Sequence, residues 1–203
     1  PYYTQTWGEV QRLENYLDNS GRLLFTSQNL VDATVGTPFL TNFLQNYMGA
    51  STATLDTNYT ELDGLFESTM SESIDDVSLQ SEELPFPPTL DEPALAGARN
   101  LVRSGELNVN GVEAQRIFNW QRTSGPGIVT GDGVAAMGNT VLPAGGSSLF
   151  FAWPFEAIDH VGDTDQGERG RLNVMQEAIR SLRQAEKPSA VNPENNEKGI
   201  PRD

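Results

Sequence analysis

The side chains best suited to chemistry gather between residues 156 and 168: Glu156, Asp159, His160, Asp163, Asp165 and Glu168. Asp159, Asp163, Asp165 and Glu168 offer hard oxygen ligands of the kind Ca2+ takes. Their spacing does not fit an EF-hand, because Gly167 falls where a further ligand is needed. Asp165 and Glu168 also make a capping box for a helix that starts there, and acids in a first turn complement the helix dipole. Capping is the favoured role and Ca2+ the alternative. His160 is the chain's single imidazole. With Glu156 or Asp159 it offers the acid–base pair of a hydrolase, if a nucleophile such as Ser27 lies beside it. Ser27 lacks the Gly-x-Ser-x-Gly elbow that would present its hydroxyl. Glu156 either moves a proton or braces a turn, and bracing is favoured. Gln28 and Asn29 suit a polar ligand such as a sugar, or the capping of the turn that follows.

Two apolar stretches must position these groups. Leu149 to Trp153 is unbroken apolar sequence stopped by Pro154, the pattern of a strand buried on both faces. Ligand crevices lie just past the carboxyl ends of such strands, which places Glu156 and the acidic run at the crevice. The run 22–27 reads as a second strand of this kind, ending at Ser27 and Gln28. A helix over 7–19 precedes it. Thr6 and Glu9 form a capping box, Val10, Leu13 and Leu17 recur at helical spacing, and Gly21 is expected to supply the left-handed residue at its end. Thr37-Pro38 starts another helix, with Phe39, Leu40, Phe43, Leu44 and Tyr47 on its apolar face.

The middle of the chain reads differently. Short alternating pieces at 52–55, 59–62 and 74–79 suggest edge strands and turns, and the proline- and acid-rich 81–93 is a loop. A short helix is expected over 94–103, alternation is seen at 107–109, and strands are expected at 116–120, 128–130 and 140–142. Gly125 to Gly133 reads as a hairpin, since it lacks the lysine of a phosphate-binding loop. The last helix spans 165–184, with Leu172, Met175, Ile179 and Leu182 on one stripe. The sequence 185–203 is polar, with three prolines, and reads as a tail or linker.

Composition removes several functions. There is no cysteine, so disulfides, thiolate metal sites and a Cys nucleophile are excluded. The net charge of −15 over 203 residues argues against nucleic acid and anionic membrane surfaces. No apolar run is long enough for a membrane-spanning helix. An acidic, lysine-poor surface rich in Ser, Thr, Asn and Gly suits an extracellular, cell-surface or periplasmic protein. The opening Pro1-Tyr2-Tyr3-Thr4 leads us to expect a piece of a longer polypeptide.

Two stretches carry a resemblance. Glu14-Asn15-Tyr16-Leu17-Asp18-Asn19-Ser20-Gly21-Arg22-Leu23-Leu24-Phe25-Thr26-Ser27-Gln28-Asn29-Leu30, with Phe39 to Leu44, and Phe150-Phe151-Ala152-Trp153-Pro154-Phe155-Glu156-Ala157-Ile158 are similar to a module of large secreted bacterial proteins. That module is related to the class I glutamine-amidotransferase-like, flavodoxin-like α/β fold. The resemblance covers about half the chain, at its two ends. It implies a three-layer sandwich with a mainly parallel central sheet over 1–184, a β-rich insertion over 50–145, and first strands lying upstream of Pro1. The catalytic Cys of active amidotransferases has no counterpart, so the resemblance does not carry that activity over. The expectation is a non-catalytic structural or interaction module, without a bound cofactor unless Ca2+. A protein partner, or the remainder of the parent polypeptide, would complete it by pairing along a sheet edge. A secreted hydrolase of glycans or peptides and a Ca2+-dependent adhesive module are the alternatives.

Overall fold

The computed structural model describes residues 7–28, 30–57, 61–64, 70, 74, 77–79, 104–111, 114–124, 127–139, 142–143, 145–158 and 167–184. The elements begin with helix α1 (Trp7–Asp18), strand β1 (Arg22–Thr26), a short helix α2 (Leu30–Ala33) and α3 (Pro38–Asn46). Seven strands follow: β2 (Ala50–Thr57), β3 (Glu61–Gly64), β4 (Val77–Ser78), β5 (Ser104–Val109), β6 (Ala114–Ser124), β7 (Gly127–Asn139) and β8 (Ser147–Phe151). A single 3-10 turn at Phe155–Ala157 leads to the last helix, α4 (Gly167–Gln184). The expectations for Thr6, for 81–93 and 94–103, and for the tail 185–203 fall outside the described residues.

All eight strands join one sheet in the order β1-β8-β7-β6-β3-β4, with β5 bridging β2 and β7. β1 and β8 run parallel, with Leu24 beside Leu149 and Phe25 beside Phe150. Every other pairing among the described strands is antiparallel. The mainly parallel, flavodoxin-like sheet expected from the resemblance is therefore incorrect: the sheet is mixed and mostly antiparallel. Chain length between strands explains the difference. Only the two positions 125 and 126 separate β6 from β7, and neighbours joined so tightly must be antiparallel, because a parallel pair needs a crossover of a dozen residues or more.

The unbroken apolar run of β8 misled on this point because burial on both faces does not require parallel neighbours. All five residues of β8 are buried. Leu149 and Phe151 face a core completed by Phe118, Trp120, Trp153, Val174 and Ala178. Phe150 faces the opposite core, with Val10, Leu17, Leu40, Phe43 and Met137. α4 thus covers one face and α1 with α3 the other. Each large side chain so buried contributes about 2 kcal/mol.

Three local expectations also change. The left-handed residue after α1 is Ser20, with φ 62°, and not Gly21. Gly21 is needed for closeness, since a Cβ there would run into the Tyr16 ring and carbonyl. The strand expected to end at 130 does not end there: β7 runs on through Gly131 and Gly133 to Asn139. A Cβ on Gly133 would lie 2.7 Å from Cδ of Glu106, so the glycine makes room for that buried side chain inside a continuous strand. Finally, the stripe expected to bury α4 is only partly buried. Val174, Ala178 and Leu182 pack inward, whereas Leu172 is 54% and Ile179 42% exposed.

Candidate functional site

The carboxyl ends of β1 and β8 lie side by side. The Ser27 amide donates to the Phe151 carbonyl at 3.0 Å, so the two strand ends are stitched together there. The Ser27 hydroxyl accepts from the Leu30 amide at 3.1 Å. It caps the first turn of α2, the ordinary task of a serine at a helix start. Gln28 follows it at the strand end. Asn29 lies outside the described residues, as do Asp159, His160, Asp163 and Asp165. Glu168 is placed only as a first-turn position of α4. Among the described residues no three His, Asp or Glu side chains come together as a metal site.

Glu156 sits in the 3-10 turn just past β8 and is exposed. The turn is held through its backbone. Arg171 on α4 donates from Nη2 to the Glu156 carbonyl at 3.1 Å and from Nε to the Ile158 carbonyl at 3.0 Å. One guanidinium thus reaches two carbonyls of the turn, and fixes the start of α4 at the carboxyl end of β8. Nothing in the sequence marked Arg171, because its partners are main-chain atoms 13 and 15 residues away.

The outer side of β1 is the second notable feature. The Ser147 amide donates to the Gly21 carbonyl and the Ser27 amide to the Phe151 carbonyl, both at 3.0 Å. Backbone groups alternate sides along a strand, so Gly21, Leu23, Phe25 and Ser27 address β8. Arg22, Leu24 and Thr26 turn their amides and carbonyls outward, where no described strand lies. The Tyr16 hydroxyl reaches over from α1 and donates to the Arg22 carbonyl at 3.1 Å. It occupies the first outward position and leaves Leu24 and Thr26 facing the open side. Tyr16 was not singled out from the sequence. Its signal is the glycine five residues later, Gly21, whose missing side chain lets the ring lie down.

All five residues of β1 are only half-buried, although its sequence is that of an interior strand. Among the described residues no helix is long and apolar enough to cross a membrane.

No protein-family model matches the chain, and no curated protein matches it. Among solved structures, the chain is similar to the mmIFT52 N-terminal domain, with 14% identity and a TM-score of 0.51 over 90% of this chain and 74% of that one. It is also similar to a ThuA-like protein from Bacteroides uniformis, with 12% identity and a TM-score of 0.45 over 88% of this chain and 65% of that one. At such identities the likeness to the mmIFT52 domain is one of fold, an α/β arrangement around a partly antiparallel sheet.

Proposed function

We propose that the chain is a non-catalytic structural and interaction module of a secreted or cell-surface protein, an amidotransferase-like relative without the nucleophile. A partner chain, or another part of the parent polypeptide, completes it by adding a strand to β1. One observation carries this: β1 is a strand of interior composition at a sheet edge, with the backbone of Leu24 and Thr26 facing outward. Unpaired edges are templates for another strand, and proteins that do not use them blunt them with charge, proline or a bulge. Leu23, Leu24 and Phe25 are none of these. The roles of Ser27 as a cap and of the Glu156 carbonyl as an acceptor for Arg171 agree with a structural part for the crevice.

The test is residue-resolved hydrogen exchange on the isolated chain and on the chain within its parent protein. In isolation the Leu24 and Thr26 amides should exchange far faster than those of Leu23 and Phe25, and the parent protein should protect all four. An isolated monomer that protects Leu24 and Thr26 as well as Leu23 would remove the accepting edge.

A further inference from the structure

We infer that the open side of β1 is a walled slot, selective for a partner strand that is apolar on both faces. This rests on β1 being an accepting edge, and adds what the edge selects.

The walls follow from helix handedness. α1 and α4 lie on opposite faces of the sheet. Gly21 joins the end of α1 directly to β1, so α1 runs antiparallel to it. α4 starts at the carboxyl end of β8, where Arg171 holds it, and packs along β8 and β1, so it runs antiparallel too. On α1 the two flanks are identified by contacts. Asp18 meets Tyr47 and Trp7 meets Phe39, so that flank faces α3. Tyr16 meets the Arg22 carbonyl, so its flank, which also carries Leu13, faces the open edge. Successive residues turn by about 100° in one fixed sense. For two helices with the same direction on opposite faces, that sense points one way on α1 and the other way on α4. The flank of α4 above the open edge is therefore the one carrying Leu172, Met175 and Ile179. The opposite flank is covered: the Glu177 side chain is 18% exposed, whereas Leu172 is 54% exposed.

The open side of β1 thus has outward backbone groups as its base, Tyr16 and Leu13 on one side, and Leu172, Met175 and Ile179 on the other. Backbone donors and acceptors call for a strand and not a helix. Apolar walls on both faces call for consecutive apolar residues, because a strand alternating apolar and polar would bury a polar side chain against one wall without a partner. The length of β1, five residues, sets the length of the match.

Two synthetic peptides test the slot on the folded chain: Lys-Lys-Val-Ile-Val-Ile-Val-Lys-Lys and its alternating counterpart Lys-Lys-Val-Ser-Val-Ser-Val-Lys-Lys. The first should protect the Leu24 and Thr26 amides and the second should not. The double variant Leu172→Gln, Ile179→Gln changes only exposed positions and adds no charge, so it should keep its melting temperature and bind the first peptide at least about tenfold more weakly. Equal protection by both peptides, or unchanged affinity in the double variant, would overturn the apolar walls and leave the edge itself standing. Protection by neither peptide would overturn the slot, and the exchange contrast between Leu24 and Leu23 in the isolated chain decides separately whether the edge is open.

Discussion

The Tyr47 hydroxyl donates to both carboxylate oxygens of Asp18, at 3.2 and 3.0 Å, and so ties α3 to the end of α1. Burial, and then the hydrogen bond to Asp18, push the Tyr47 phenol up to about 12. The folded state therefore favours the protonated phenol. The stability this gives is fully present below pH 10, the ordinary tyrosine value, and is lost as pH rises through about 12. Tyr47→Phe should cost about 1 kcal/mol at neutral pH. Denaturant melts from pH 9 to 12 should show a decline in the wild type that is shallower in the variant. Parallel curves would mean that another group controls the alkaline limb.

Glu14 stands beside this pair and works in the opposite direction. Burial, and then the charge of Asp18 one turn away, raise its carboxyl above the ordinary glutamate range. A raised folded pKa favours the protonated acid, so the charged form at neutral pH is a net cost that disappears in acid. Glu14→Gln should raise the melting temperature at pH 7 and leave it unchanged near pH 3. A destabilised variant at pH 7 would show that the carboxylate has a favourable partner there.

These effects were invisible in the sequence, which gives the helical spacing of Glu14 and Asp18 but not the arrival of Tyr47 from another helix. The same limit applies to the fold. β8 was legible because five apolar residues in a row have one stable setting, a strand covered on both faces. The direction of its neighbour β7 was not legible, because Leu149 to Phe151 look the same beside either. On α4 the apolar period was right, but it contained two stripes. Val174, Ala178 and Leu182 pack, while Leu172 and Ile179 look outward, and periodicity alone cannot rank them. At the turn after α1, glycine was given the left-handed role that Ser20 takes, because Gly21 is required for a reason no spacing reveals, the ring of Tyr16. Of the candidate site, the strand ends at Ser27 and Glu156 were legible from the apolar runs. What those residues bond to was not.

The grip of Arg171 on the Glu156 and Ile158 carbonyls makes a sharp contrast between two substitutions. Arg171→Met keeps most of the stem but removes both hydrogen bonds to the turn, and should cost about 1–3 kcal/mol. Glu156→Gln changes an exposed carboxylate, whose pairing is worth at most about 1 kcal/mol. Chemical denaturation of both variants measures the difference. A larger loss from Glu156→Gln than from Arg171→Met would place the turn's stability in the Glu156 side chain instead of its backbone.

The junction between α1 and β8 makes the strictest demand on side-chain size. A Cβ on Gly146 would fall on the Leu17 carbonyl oxygen and within 3.1 Å of the Gly21 carbonyl oxygen, both backbone atoms that cannot turn aside. The adjacent Ser147 amide bonds the Gly21 carbonyl, so any retreat of the loop strains the first link between β8 and β1. Gly146→Ala should cost about 2–4 kcal/mol, and lower the melting temperature by about 5–15 °C. Gly8, in the first turn of α1, has nothing within 4 Å of its missing Cβ. Gly8→Ala should instead stabilise by about 0.5–1 kcal/mol, through the smaller entropy of the unfolded chain. Thermal melts of the two alanine variants should therefore shift in opposite directions. A Gly146→Ala protein that melts with the wild type would mean that α1 and β8 do not approach as closely as the Leu17 carbonyl places them.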